Sequence, residues 1–216
     1  MGHVIQKNLL DAGCGTGWFS RYWKAYNNQV TALDISKNML LEARKKHSAN
    51  MYILGDIESM PFFNKTIDVV FSNLALQWSQ NISQVLSESY RILKPGGILA
   101  LSTLAHGSLI ELQEAWKNID NYPHINNFLS VSSISDACSL YRHQLSANLK
   151  FIYYENIQKL LHEIRDTNIG KTLSVCALLQ SIIRSGQRVI GCKLVASGCK
   201  KTKYGLRNSD QKFEYD

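Results

Sequence analysis

The chain has 216 residues, 45% of them hydrophobic, with a formal net charge of +7, and that length buries one core of ordinary size, so a single domain is expected rather than two. Its apolar runs are short and broken by charge, far from the roughly 20 residues of a membrane span, and no secretory signal precedes the first strand, so the sequence reads as cytoplasmic. Five cysteines without CxxC spacing fit reduced thiols rather than a disulfide framework or a metal site.

The segment VIQKNLLDA reads as a strand that runs into three glycines, Gly13, Gly15 and Gly17. A short helix follows from Trp18 to Tyr26, then the strand QVTALD, then a helix capped by Ser36 and reaching about His47. MYILGD reads as a third strand, and TIDVVFSNLAL as a fourth with the near-continuous apolar character of one buried on both faces. Ile82 to Leu93 repeats apolar residues at helical spacing and stops at KPGG, where Pro95 and Gly96 end it; GILALSTL then forms a fifth strand. Strands alternating with helices mean right-handed βαβ units: an α/β fold with a Rossmann-like, mostly parallel sheet, helices on both faces, and ligands at the carboxyl ends of the strands. One domain over residues 1–197 is expected, with its core at 4–105, substrate-side insertions at about 106–188, and a flexible tail at 198–216.

Asp11, Gly13, Gly15 and Gly17 fall where the first strand turns into the first helix, where such a sheet holds a nucleotide and where glycines let the backbone come close. A dinucleotide fingerprint would read GxGxxG, but Trp18 stands at its third glycine position, and a pyrophosphate does not want a neighbouring carboxylate. The acid therefore points to a ligand bearing a cation. Asp34, ending the second strand, is placed to accept hydrogen bonds from ribose hydroxyls. A nucleoside with a positive, phosphate-free tail satisfies both acids, which describes S-adenosylmethionine. Cys14 has no base nearby to make it a nucleophile and reads as a small filler of the turn.

DAGCGTG, the acid in ALDIS, GDIESMPF and ILKPGG, in that order, resemble the class I S-adenosylmethionine-dependent methyltransferases. NLALQW and the stretch from Leu101 to Leu129 are further similar to the malonyl-acyl-carrier-protein O-methyltransferase family of biotin synthesis. The resemblance covers about residues 8–135 well and 150–197 loosely. It implies that the loop Gly13, Cys14, Gly15 and Gly17 passes under the methionine part of the cofactor, that Asp11 faces its amino group through the loop, and that Asp34 holds the ribose. It further implies that Asp56 accepts from the adenine amino group, that Ile35, Met39 and Ile57 flank the ring, and that Asn73 and Leu74 border the sulfonium. The implied acceptor is the free carboxylate of a malonyl group on an acyl-carrier protein.

A malonyl carboxylate is already ionised, so no proton-transfer residue is expected; Gln77, Trp78 and His106 are candidates for positioning the acyl group, and Arg142 or His143 for meeting the carboxylate. Another small carboxylic acid as acceptor, or a shortened protein that binds the cofactor with little activity, remains the alternative. Relatives carry lid helices ahead of the first strand, and these are expected to be missing here. Neither a nucleic-acid nor a membrane partner is expected, since NLAL stands where nucleic-acid methyltransferases carry an NPPY-type tetrapeptide. Residues 151–216 hold 11 Lys and Arg against 6 Asp and Glu, so an acidic carrier would be met there, through Lys159 and Arg165 on a helix from Glu155 to Asp166 and through Arg184 and Arg188.

Overall fold

The structure, a computed structural model, describes residues 4–117, 127–151, 190–198, 201–202 and 205–206. Strand β1 (Asn8–Ala12) leads through the glycine loop into helix α1 (Trp18–Ala25), which is followed by β2 (Gln29–Asp34), α2 (Lys37–Lys45), β3 (Met51–Leu54) and β4 (Ile67–Asn73). A 3₁₀ turn (Leu76–Trp78) precedes α3 (Ile82–Ile92) and β5 (Leu93–Thr103). Then come α4 (Ile110–Lys117), α5 (Val131–Cys138), β6 (His143–Phe151) and β7 (Ile190–Gly198), with a two-residue ladder between β8 (Lys201–Thr202) and β9 (Gly205–Leu206). Among the described residues seven strands form one sheet in the order β3-β2-β1-β4-β5-β7-β6, every pairing parallel. This is the expected α/β architecture, and it sets all strand carboxyl ends along one edge.

The helices start where the sequence offers a side-chain acceptor. Ser36 Oγ accepts the Met39 amide at 3.4 Å, Asn81 Oδ1 the Gln84 amide at 3.2 Å, and Ser130 Oγ the Ser133 amide at 3.0 Å. Two apolar layers sandwich the sheet. On one face Phe71 meets Phe19 and Trp23 of α1 at centroid distances of 4.9 and 5.6 Å; on the other Leu10, Val70 and Leu99 pack beneath Val85 and Leu86 of α3 and Ile134 of α5.

One boundary differs from the sequence expectation. KPGG is not a turn between α3 and a later strand: α3 ends at Ile92 and β5 begins at once, carrying Pro95 and both glycines inside it. The pairing with β4 slips there, since Ile67 faces Leu93 while Val69 faces Ile98, so the extra residues form a bulge, which tolerates a missing amide and a Gly96 φ of 84°. β7 joins β5 only from Leu99 onward. The first half of β5 therefore runs beyond its neighbour.

Arg91 ties the loop after β3 to α3. Its guanidinium donates to the carbonyls of Phe62 and Met60 at 2.7 and 2.9 Å and to both oxygens of Glu88 at 2.8 Å, while Glu88 also accepts the Met60 amide at 2.8 Å. Such a planar fork has no equivalent in lysine. We expect Arg91→Ala to cost about 2 kcal/mol and Arg91→Lys to recover less than half of it, by chemical denaturation.

Candidate functional site

The glycine loop is built on the end of β2. The Leu33 carbonyl accepts the amides of Gly13 and Cys14 at 2.8 and 3.0 Å, and Asp34 Oδ2 accepts the amide of Gly15 at 2.8 Å. The other carboxylate oxygen of Asp34 accepts the Ser36 amide at 2.8 Å, so the residue that caps α2 is fixed by the acid that holds the loop. Three successive loop amides are thus spent inside the protein. Phosphate-binding loops need such amides free and aimed at the ligand, and these three are not available to an anion.

The three glycines serve three separate ends. A Cβ on Gly13 would meet the Ala75 Cβ at 2.3 Å, because the segment after β4 packs on the loop there. On Gly17 it would strike Ser48 Oγ at 2.2 Å, beside α2. On Gly15 it would meet nothing within 4 Å. All three have positive φ, but only Gly15 turns an unobstructed backbone face outward, and this is the one place where the loop leaves room for a ligand.

Asp11 is buried behind the loop rather than displayed on it, and its Oδ2 accepts the Ser20 hydroxyl of α1 at 2.5 Å. Burial raises its pKa to about 7; the Ser20 hydrogen bond opposes this and the nearby Asp34 charge adds to it. Cys14 is buried, and desolvation followed by the charges of Asp11 and Asp34 pushes its thiol far above the usual range, so it is an inert filler of the turn.

Ile35, directly after Asp34, is 74% exposed, and Met39 is exposed on the first turn of α2. Asp56 is exposed after β3 and its Oδ1 accepts the Glu58 amide at 2.8 Å, a local turn that leaves its other oxygen without a hydrogen bond among the described residues. Ile57 is half-buried and packs on the core layer beneath α3. At the end of β4, Asn73 Oδ1 accepts the Ser102 hydroxyl at 2.7 Å, and the Leu74 amide donates to the Ser102 carbonyl at 2.9 Å. Leu74 has a φ of 51°, a left-handed backbone that a leucine holds only because its surroundings impose it. Gln77 contributes by donating Nε2 to the Leu74 carbonyl at 2.7 Å. Its buried Oε1 has no partner among the described residues, and as an acceptor it suits a donor rather than a carboxylate. Trp78 is 66% exposed, and His106 is an exposed loop residue whose backbone amide donates to the Leu129 carbonyl at 2.8 Å.

Arg142 and His143 do not come to this edge. They stand at the amino end of β6, which runs parallel to its neighbours, so the length of a strand separates them from the carboxyl ends. Lys159, Arg165, Arg184 and Arg188 lie outside the described residues. Sequence reasoning missed Ser20 and Ser102. Nothing in the spacing of Asp11 and Ser20 marks the first pair, whereas Ser102 sits opposite Asn73 in the parallel register, so aligning the two strands would have found it.

The methyltransferase domain family model matches residues 10–101 of this chain. The chain is also similar to malonyl-[acyl-carrier protein] O-methyltransferases. That of Serratia marcescens is 43% identical over 166 residues, 77% of this chain and 64% of the relative. That of Pectobacterium atrosepticum is 44% identical over 164 residues, 76% of this chain and 64% of the relative. The chain thus spans somewhat less than two thirds of these relatives' length. Among solved structures, a S-adenosylmethionine-dependent methyltransferase of Thermotoga maritima shares the fold, with a TM-score of 0.51 at 22% identity over 63% of this chain and 64% of its own.

The residues present suit S-adenosylmethionine: an open glycine face, no free amide cradle for phosphate, two acids beneath, and uncovered apolar side chains at Ile35 and Met39. Both Gly13→Ala and Gly17→Ala are expected to lower stability by about 3 kcal/mol, clash adding to backbone strain, against about 1 kcal/mol for Gly15→Ala in thermal denaturation. Gly15→Val should instead cut S-adenosylmethionine affinity at least about tenfold by titration, because its side chain fills the ligand's face.

Asp11 also makes stability depend on pH. Its folded pKa, about 7, lies above its unfolded value near 3.8, so its contribution is full below the unfolded value and is lost as pH rises through the folded one. Asp11→Asn, neutral throughout, should gain on the unaltered protein by a few kcal/mol in unfolding free energy between about pH 4 and 7, with the difference level above about pH 8.

Proposed function

We propose that this chain transfers a methyl group from S-adenosylmethionine to the free carboxylate of a malonyl group carried on an acyl-carrier protein. The observation that carries the reading is the likeness to malonyl-[acyl-carrier protein] O-methyltransferases at 43–44% identity over about three quarters of the chain, beside a methyltransferase domain match at residues 10–101, which includes the glycine loop and both acids. When bound, S-adenosylmethionine supplies an electrophilic methyl on a positively charged sulfur.

The chain's own residues have a limited task. Gly15 gives the close approach, while Asp34, already fixed by two backbone amides, has lone pairs left for ribose hydroxyls. Asp11, ionised once a cation lies near, balances the cofactor's charge from behind the loop. Asp56 keeps an oxygen for the adenine amino group, and Ile35, Met39 and Ile57 give the ring apolar surroundings. Asn73 and Leu74, held by Ser102, set the edge facing the sulfonium, and Trp78 presents an uncovered indole to the acyl group. The malonyl carboxylate is ionised at neutral pH, so attack needs no base and the rate comes from alignment and exclusion of water.

Methyl transfer from labelled S-adenosylmethionine, compared among malonyl-acyl-carrier protein, malonyl-CoA and free malonate at two ionic strengths, tests the reading. We expect preference for the carrier protein, shrinking as salt rises. Cofactor binding without transfer to any malonyl acceptor, or equal rates on all three, would overturn it.

A further inference from the structure

The edge of the sheet opposite the glycine loop holds a cavity of about 540 Å³, the size of a small-molecule site, between the first half of β5, the last turn of α3 and the segment before β6. Among the described residues β5 starts well before β7 joins it, and no described strand pairs with the stretch from Leu93 to Ile98 on that side. Its lining includes Lys65, Lys94 and Arg142 with Tyr90, Tyr141 and Leu140.

Two features of this lining are unusual for a bare surface. Lys94 is engaged by Asp68 at 3.0 Å, but among the described residues Lys65 and Arg142 form no ion pair, so two cations border the cavity without a balancing acid. Beside them, Tyr90 is 60% and Leu140 87% exposed, with the Tyr141 ring buttressing Tyr90 at a centroid distance of 5.5 Å. Uncovered ring and leucine surface next to unpaired charge is the complement of a molecule that is flat and apolar at one end and anionic at the other.

We propose that this cavity is a second ligand site, for a small aromatic anion: a ring stacked on Tyr90 and Leu140, with a phosphate or carboxylate between Lys65 and Arg142. The site is independent of methyl transfer. β5 alone spans Leu93 to Thr103, on the order of 30 Å of extended chain, so a molecule held here cannot also present its anionic group at the glycine loop. It follows that a ligand here neither competes with the cofactor nor serves as its acceptor.

Calorimetric titration of the full chain with 1-naphthyl phosphate, and with uncharged 1-naphthol as its partner probe, tests the site. We expect saturable binding of the phosphate at or below about 1 mM, at least about tenfold tighter than the naphthol, and weakening with salt. Lys65→Ala and Arg142→Ala, both exposed, and Tyr90→Ala should each reduce the affinity about five- to tenfold, with melting temperatures near that of the unaltered chain showing that they fold. Saturating S-adenosylhomocysteine should leave the affinity unchanged. No saturation up to about 10 mM, equal binding of naphthol and its phosphate, indifference to the Lys65→Ala, Arg142→Ala pair, or displacement by S-adenosylhomocysteine would each overturn the proposal, whatever the methyl-transfer assay gives.

Discussion

The clasp between the end of β2 and the glycine loop is the constraint on which the site depends. The Leu33 carbonyl and the Asp34 carboxylate take three consecutive amides, and this forces the chain to turn tightly enough that glycine is needed at Gly13 and Gly17 to admit Ala75 and Ser48. The same clasp removes the amides that would make the loop a phosphate cradle. What remains is an open backbone face over two buried carboxylates, and that combination selects for positive charge without phosphate. The ligand class is therefore set by which hydrogen bonds the loop has already made, more than by the glycines as such.

Parallel winding gives the two edges of the sheet opposite electrical character. Strand carboxyl ends and helix starts share one edge, and there lie Asp11, Asp34, Asp56 and Glu58. The other edge collects Lys7, Lys24, Arg44, Lys65, Lys94 and Arg142 from strand starts and helix ends. The net charge of +7 is thus no guide to where an anion meets the molecule.

Much of the fold was legible because local and global signals agree. QVTALD is β2 to the residue, and Ser36 caps the helix it precedes, since a short polar acceptor before an apolar periodic run has few other uses. KPGG was misread because proline and glycine argue locally for a turn, while only the pairing with β4 and the late arrival of β7 show that a bulged strand can carry them. The site divided in the same way. The loop and its acids follow from spacing along one segment. The roles of Ser20, Ser102 and Gln77 depend on contacts across segments, and the placement of Arg142 depends on the direction of a strand that no local pattern announces.

Asp34 shows how a correct location can conceal a mixed role. The sequence places an acid at the end of β2 and a nucleoside explains it through ribose hydroxyls, yet in the structure both its oxygens already accept backbone amides, from Gly15 and from Ser36. Each oxygen has a second lone pair, so holding the loop and accepting from a sugar are compatible, and the first fixes the direction of the second. Removing the carboxylate takes away the loop function and the proposed one together: the Gly15 amide loses its acceptor, the cap residue of α2 loses its anchor, and the ribose loses the partner proposed for it. Any loss of affinity at this position therefore contains a cost of loosening the loop, one that changing the ribose hydroxyls on the ligand side would not incur, and the two contributions separate only in a cycle that alters protein and ligand in turn.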